Sequence, residues 1–121
     1  MNLEYIHKPD YYFFAQLFVR HIEKHIKQHP KAVEASFHTR HIQELFQQDQ
    51  ASTTINLDGI LGIADEYSIE TLKGDMPIIQ KHRIDAERHI LYLTFNAEAI
   101  QSILAGHNII EPVAGSSSYP L

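Results

Sequence analysis

Nine histidines are the residues of this chain best equipped for chemistry. Three of them, His21, His25 and His29, recur at i, i+4, i+8 within DYYFFAQLFVRHIEKHIKQH. On a helix that spacing sets them along one edge and brings His21 and His25 within chelating reach of a single ion. His38 and His41, at i, i+3, add two donors if their segment packs nearby. Imidazole suits zinc, copper, nickel or iron. The pattern departs from HExxH, because Ile22 stands where a base glutamate would follow the first histidine. No nearby carboxylate has diagnostic spacing. His21 and His25 are therefore weak metal candidates, and no cofactor is expected. The same imidazoles could sense protons, since their ordinary pKa of about 6.5 falls in the physiological range. His25, on the apolar edge, is the one expected to feel burial most, and protonating it would then disturb its packing.

Other reactive constellations find no support. The chain has no cysteine, hence no thiolate, disulfide or Cys-based zinc site. No serine stands in a GxSxG elbow. Asp65 and Glu66 are adjacent, so they point apart on a helix or a strand. Gly59-Ile60-Leu61-Gly62 lacks both the GK[ST] ending of a phosphate loop and the third glycine of a dinucleotide fingerprint. The sequence reads as a binder rather than a catalyst.

The elements that must position these residues begin with a long amphipathic helix after Pro9 and an Asp10 cap. Tyr11, Phe14, Ala15, Phe18, Ile22 and Ile26 form its apolar stripe. Gln16, Arg20, Glu23, Lys24 and Lys27 lie opposite, and Pro30 ends it. Residues 31–38 alternate as a half-buried strand. Thr39 is placed to cap a second helix running to about Asp49, with Ile42, Leu45 and Phe46 on its inner face. Residues 53–64 carry two signals. Leu57, Ile60, Leu61 and Ala64 have helical spacing, whereas Asp58-Gly59 between two apolar runs suggests a β-hairpin. Two glycines at about 1 kcal/mol each against alanine tilt the expectation toward the hairpin. Tyr67 to Lys73 reads as a short helix stopped by Gly74.

Residues 78–95 read as a hairpin turning at Asp85-Ala86-Glu87-Arg88. Its second arm, apolar on both faces, belongs inside the sheet. Asn96 caps a helix at about 97–105, ended by Gly106, and Ile109-Ile110 add an edge strand. The expected fold is a single α+β domain over 1–111, its N-terminal helix packed on a mostly antiparallel sheet, with a loose tail over 112–121. No secretory signal or membrane span is expected, so the reading is a cytoplasmic protein.

The formal charge is −5, which makes nonspecific nucleic-acid binding an unfavoured reading. The charge is uneven, however. Residues 20–41 hold five basic side chains (Arg20, Lys24, Lys27, Lys31, Arg40) against Glu23 and Glu34. Residues 42–75 hold seven acids (Glu44, Asp49, Asp58, Asp65, Glu66, Glu70, Asp75) against Lys73. The aromatic run Tyr11-Tyr12-Phe13-Phe14 wraps the first helical turn, so Tyr12 and Phe13 diverge from the core-facing Phe14.

The leading expectation is a noncatalytic protein-binding module: a small inhibitor, immunity- or antitoxin-type partner, adaptor or chaperone-like regulator. Tyr11, Tyr12, Phe13, Glu44, Asp49, Asp65, Glu66 and Glu70 would meet another protein, a basic one on the acidic side, or a second copy in a homodimer. The alternative is a winged-helix DNA-binding regulator with Lys81, Arg83 and Arg88 on phosphates, helped by His82 and His89. Its third helix would come from 57–73, and the acids Asp58, Asp65, Glu66 and Glu70 count against it. A His-dependent metal protein or enzyme comes third.

Overall fold

A computed structural model describes residues 11–46 and 50–112. The expected Asp10 cap, Asp49 and residues 113–121 of the expected tail lie outside the described residues. Helix α1 (Tyr11–Gln28) buries Ala15, Phe18, Val19, Ile22 and Ile26 and ends two residues before Pro30. Full burial of a Phe or Ile side chain stabilises by roughly 1.5–3 kcal/mol, so this stripe anchors the domain. It packs on α2 (Thr39–Phe46), α3 (Gln50–Ala64) and α4 (Ala97–Leu104).

Two three-stranded antiparallel sheets complete the α+β fold. The first has the order β1 (Glu34–His38), β5 (Ile90–Phe95), β4 (Ile79–Asp85). As its two-sided pattern predicts, β5 is central. Leu91, Leu93 and Phe95 are buried while Ile90, Tyr92 and Thr94 are half-buried. The register sets Phe37 opposite Leu91, and Arg83 opposite Tyr92. The second sheet has the order β3 (Gly74–Pro77), β2 (Ser68–Thr71), β6 (Ile109–Ile110). The expected helix at 97–105 and the edge strand at 109–110 are present. Asn96 accepts from the amides of Glu98 and Ala99 at 2.9 and 3.2 Å, and Gly106 lies at φ +92° just past the helix.

Three expectations need correction. Residues 53–64 are helical, not a hairpin: Leu57, Ile60, Leu61 and Ala64 are all buried, and they form the face of α3 that the i, i+3, i+4, i+7 spacing implied. Gly59 marks a close helix approach, because a Cβ there would stand 2.7 Å from Tyr11 Cε2. Residues 68–77 form a β-hairpin instead of a short helix. Only Ile69 of β2 is buried, Gly74 turns at φ +97°, and the Thr71 hydroxyl donates to the Gly74 carbonyl at 2.6 Å. Finally, Thr39 does not cap α2 with its side chain. Its buried Oγ1 has no hydrogen-bond partner among the described residues, and His38 Nδ1 accepts from the Arg40 amide at 3.0 Å in its place.

Candidate nucleic-acid interface

Helices α2 and α3 pack against each other and have residues 47–49 between them in the sequence. Helix α1 and strand β1 precede them. The β4–β5 hairpin follows and pairs back so that β5 lies against β1. The β2–β3 hairpin stands between α3 and β4 in the chain, and α4 and β6 follow β5.

The acids fall differently from the sequence expectation. Asp58 is the one acidic residue in the sequence of α3, Gln50–Ala64, whose first seven residues, QASTTIN, are uncharged. Asp65 follows the helix end, Glu66 is exposed beyond it, and Glu70 lies on β2. Asp65 faces β4: its Oδ2 is 3.3 Å from His82 Nδ1, while its Oδ1 is buried without a hydrogen-bond partner among the described residues. Burial pushes the Asp65 carboxyl up from the ordinary carboxylate range, and His82 acts in the opposite sense. This pair ties the end of α3 to the edge strand of the hairpin.

Lys81 and Arg83 alternate along β4 and pair with Thr94 and Tyr92 of β5. The Arg83 guanidinium lies 4.3 Å from the Tyr92 ring centroid, a cation–π contact that holds the charge on the outer face of the sheet. With Glu34, Ser36 and Thr94 these residues line a shallow concavity of about 680 Å³. Arg88 sits in the hairpin turn, where its amide donates to Asp85 Oδ1 at 3.1 Å and its Nε is 3.9 Å from Asp85 Oδ2. The β4–β5 hairpin therefore carries all three basic candidates.

The expected protein-binding residues lie on several elements. Tyr11 is half-buried and leans on Gly59, Tyr12 is half-buried, and Phe13 is 49% exposed. Glu44 is exposed on α2, away in sequence from Asp65, Glu66 and Glu70.

The histidines assemble across elements. His25 and His29 stack at 4.4 Å between ring centroids. His21 and His25 both pack on the Phe37 ring, at 5.5 and 5.4 Å. His38 lies 6.4 Å from His41 and 6.2 Å from His89. Burial, then the positive fields of Lys24 and His41, lower the His21 pKa; burial, then His29 and His21, lower that of His25. Desolvation thus acts on His21, whose side chain is exposed overall, as well as on the expected, half-buried His25. Among the described residues no group of three or more His, Asp or Glu side chains is arranged to hold a metal ion. Sequence reasoning did not find the His82–Asp65 pair, because it depends on a partner brought in by folding, nor the capping role of His38, which is local but falls to a residue type outside the usual capping set.

Compared with protein-family models, curated proteins and solved structures, the chain matches none. Among the described residues no helix is long and apolar enough to cross a membrane.

Proposed function

We propose that the protein binds duplex DNA as a winged-helix domain, with α3 presented to the major groove and the β4–β5 hairpin to the adjacent backbone. The observation that supports this reading is the element order α1, β1, α2, α3 followed by the β4–β5 hairpin, with β5 paired to β1. Asp65, Glu66 and Glu70, which weighed against DNA when assigned to α3, lie outside it. The net charge of −5 is a property of the whole chain, whereas phosphate binding depends on the local field at the contact.

Fluorescence anisotropy with a labelled duplex tests the reading. Three phosphate contacts from Lys81, Arg83 and Arg88 give a slope of log K against log salt near −2.7, at about 0.9 per contact. Each of Lys81→Ala, Arg83→Ala and Arg88→Ala should weaken binding and reduce that slope by about 0.9. Absence of binding at low salt, or a slope indifferent to all three substitutions, would refute it.

A second reading, protein binding through the start of α1, draws on Phe13, whose ring is half-exposed while its neighbour Phe14 packs on Phe46 at 5.1 Å. Large exposed aromatics are enriched at interface centres. Sedimentation of the wild type and Phe13→Ser separates the two. A dimer that dissociates on this substitution, in a protein that ignores DNA, would favour it.

A further inference from the structure

We propose that a small cavity between α1 and β6 binds a free aliphatic α-amino acid, with Arg20 taking its carboxylate and Glu111 its ammonium group. The proposal goes beyond the DNA reading and holds or fails independently of it.

The cavity measures about 230 Å³. Pockets for drug-sized ligands begin at about 300 Å³, so this one suits a ligand of few atoms. Part of its wall is one face of α1, where Gln16, Val19, Arg20 and Glu23 recur at i, i+3, i+4, i+7. The rest comes from Tyr67, just ahead of β2, and from Asn108, Ile109 and Glu111 in and beside β6.

Backbone hydrogen bonds fix this second part. The Gly106 amide donates to the Ile103 carbonyl at 3.1 Å and the His107 amide to the Ser102 carbonyl at 3.0 Å, which pins the loop before Asn108 to α4. Ile109 and Ile110 then pair with Ile69 and Ser68. The Tyr67 amide donates to the Ala64 carbonyl at 3.1 Å, and its carbonyl accepts from the Ile78 amide at 3.3 Å. A wall already ordered loses little freedom when a ligand enters.

The charges around the cavity do not cancel one another in place. Glu23 is engaged by Lys27 at 3.5 Å. Arg20 and Glu111 remain, and neither forms an ion pair, with the other or with any described residue. Glu111 Oε2 accepts from Gln16 Nε2 at 3.3 Å, which steadies the carboxylate without neutralising it. Tyr67 is only 4% exposed, yet its hydroxyl has no hydrogen-bond partner among the described residues. Burial, then the field of Glu111, pushes that hydroxyl above its ordinary range, while Arg20 acts in the opposite sense. The hydroxyl therefore stays protonated near neutral pH and can donate.

One cation and one anion, held apart at the same cavity, match a small molecule that carries both charges. The planar guanidinium of Arg20 suits a carboxylate, and the Tyr67 hydroxyl adds a second donor. Glu111 accepts from the ammonium. Between them Val19 is buried and Ile109 half-buried, an apolar lining that takes an aliphatic side chain and penalises a charged one.

The test is an NMR titration of the full chain with L-valine, alongside isovalerate, which lacks the ammonium group, and isobutylamine, which lacks the carboxylate. L-Valine should bind at about 1 mM or tighter, with saturable shifts at the Val19, Asn108 and Ile109 amides. Either one-charge analogue should bind about tenfold or more weakly. Arg20→Gln and Glu111→Gln, both at exposed positions, should each weaken L-valine binding about tenfold or more, and Tyr67→Phe should weaken it severalfold. Absence of saturable shifts by about 10 mM overturns the proposal. Equal binding of L-valine and either analogue overturns the two-charge ligand, and binding indifferent to both Arg20→Gln and Glu111→Gln overturns the assignment to this cavity. None of these results depends on whether the protein binds DNA, so the two proposals fail separately.

Discussion

Replacing Gly59 with alanine should fail to stabilise α3, although alanine is the better helix former. The intrinsic gain is about 1 kcal/mol. Against it, the new Cβ would lie 2.7 Å from Tyr11 Cε2 and 2.9 Å from Tyr11 Cδ2, where carbon atoms prefer about 3.5–4.0 Å. The ring, itself half-buried against the core, must withdraw by roughly 1 Å, and overpacking of this kind costs about 1–3 kcal/mol. The net expectation is between no change and a loss of about 2 kcal/mol. Gly62, in the same helix with no atom within 4 Å of its would-be Cβ, supplies the control. Gly62→Ala should stabilise by about 0.5–1 kcal/mol. Urea unfolding of both variants, with the m-value checked for constancy, measures the difference. Tyr11→Ala should then restore to Gly59→Ala the gain that the ring withheld, a coupling that a double-mutant cycle isolates. A Gly59→Ala protein as stabilised as Gly62→Ala would refute the close approach of α1 to α3.

Further expectations concern the start of α2 and the histidines. Thr39→Val, which removes a buried hydroxyl without a hydrogen-bond partner among the described residues, should be neutral or stabilising by about 1 kcal/mol in the same unfolding assay. His38→Ala should cost about 1 kcal/mol through the lost cap, while His38→Asn, which keeps a side-chain acceptor, should cost less. His21 and His25 have folded pKa values below the ordinary 6.5, so the unfolded chain takes up protons first as pH falls. Stability should therefore decline as pH drops below about 6.5 and level off once the folded imidazoles are also charged. His21→Gln/His25→Gln should flatten that limb in a series of unfolding curves. The raised Asp65 carboxyl works in reverse, returning some stability as pH falls through its folded pKa toward 3.8. Asp65→Asn should remove that acid-side recovery alone.

Much of the architecture was legible wherever one face of an element meets one core. The α1 stripe repeats often enough for its period to be unmistakable, and β5 alternates between fully and half-buried residues as expected of a central strand. Asn96 and Gly106 mark α4 because capping is local: the cap bonds reach only two and three residues along the chain. The 53–64 segment was ambiguous because Leu57, Ile60, Leu61 and Ala64 satisfied a helical period while Asp58-Gly59 satisfied a turn. Backbone propensity alone sets about 2 kcal/mol against the helix for its two glycines, and burial of four side chains in a helix packed on α1 outweighs it. The candidate hairpin cations Lys81, Arg83 and Arg88 were visible as residue types, but the Arg83–Tyr92 contact required the β4–β5 register.

Local order along the chain thus determined the helix stripes, the 78–95 hairpin and the caps, since each depends on neighbours a few residues apart. Tertiary structure decided what touches across long separations: Ser68 pairing with Ile110, Asp65 meeting His82, and His38 meeting His89. Those contacts are set by how apolar faces exclude water together, and that exclusion is a property of the whole core rather than of any segment.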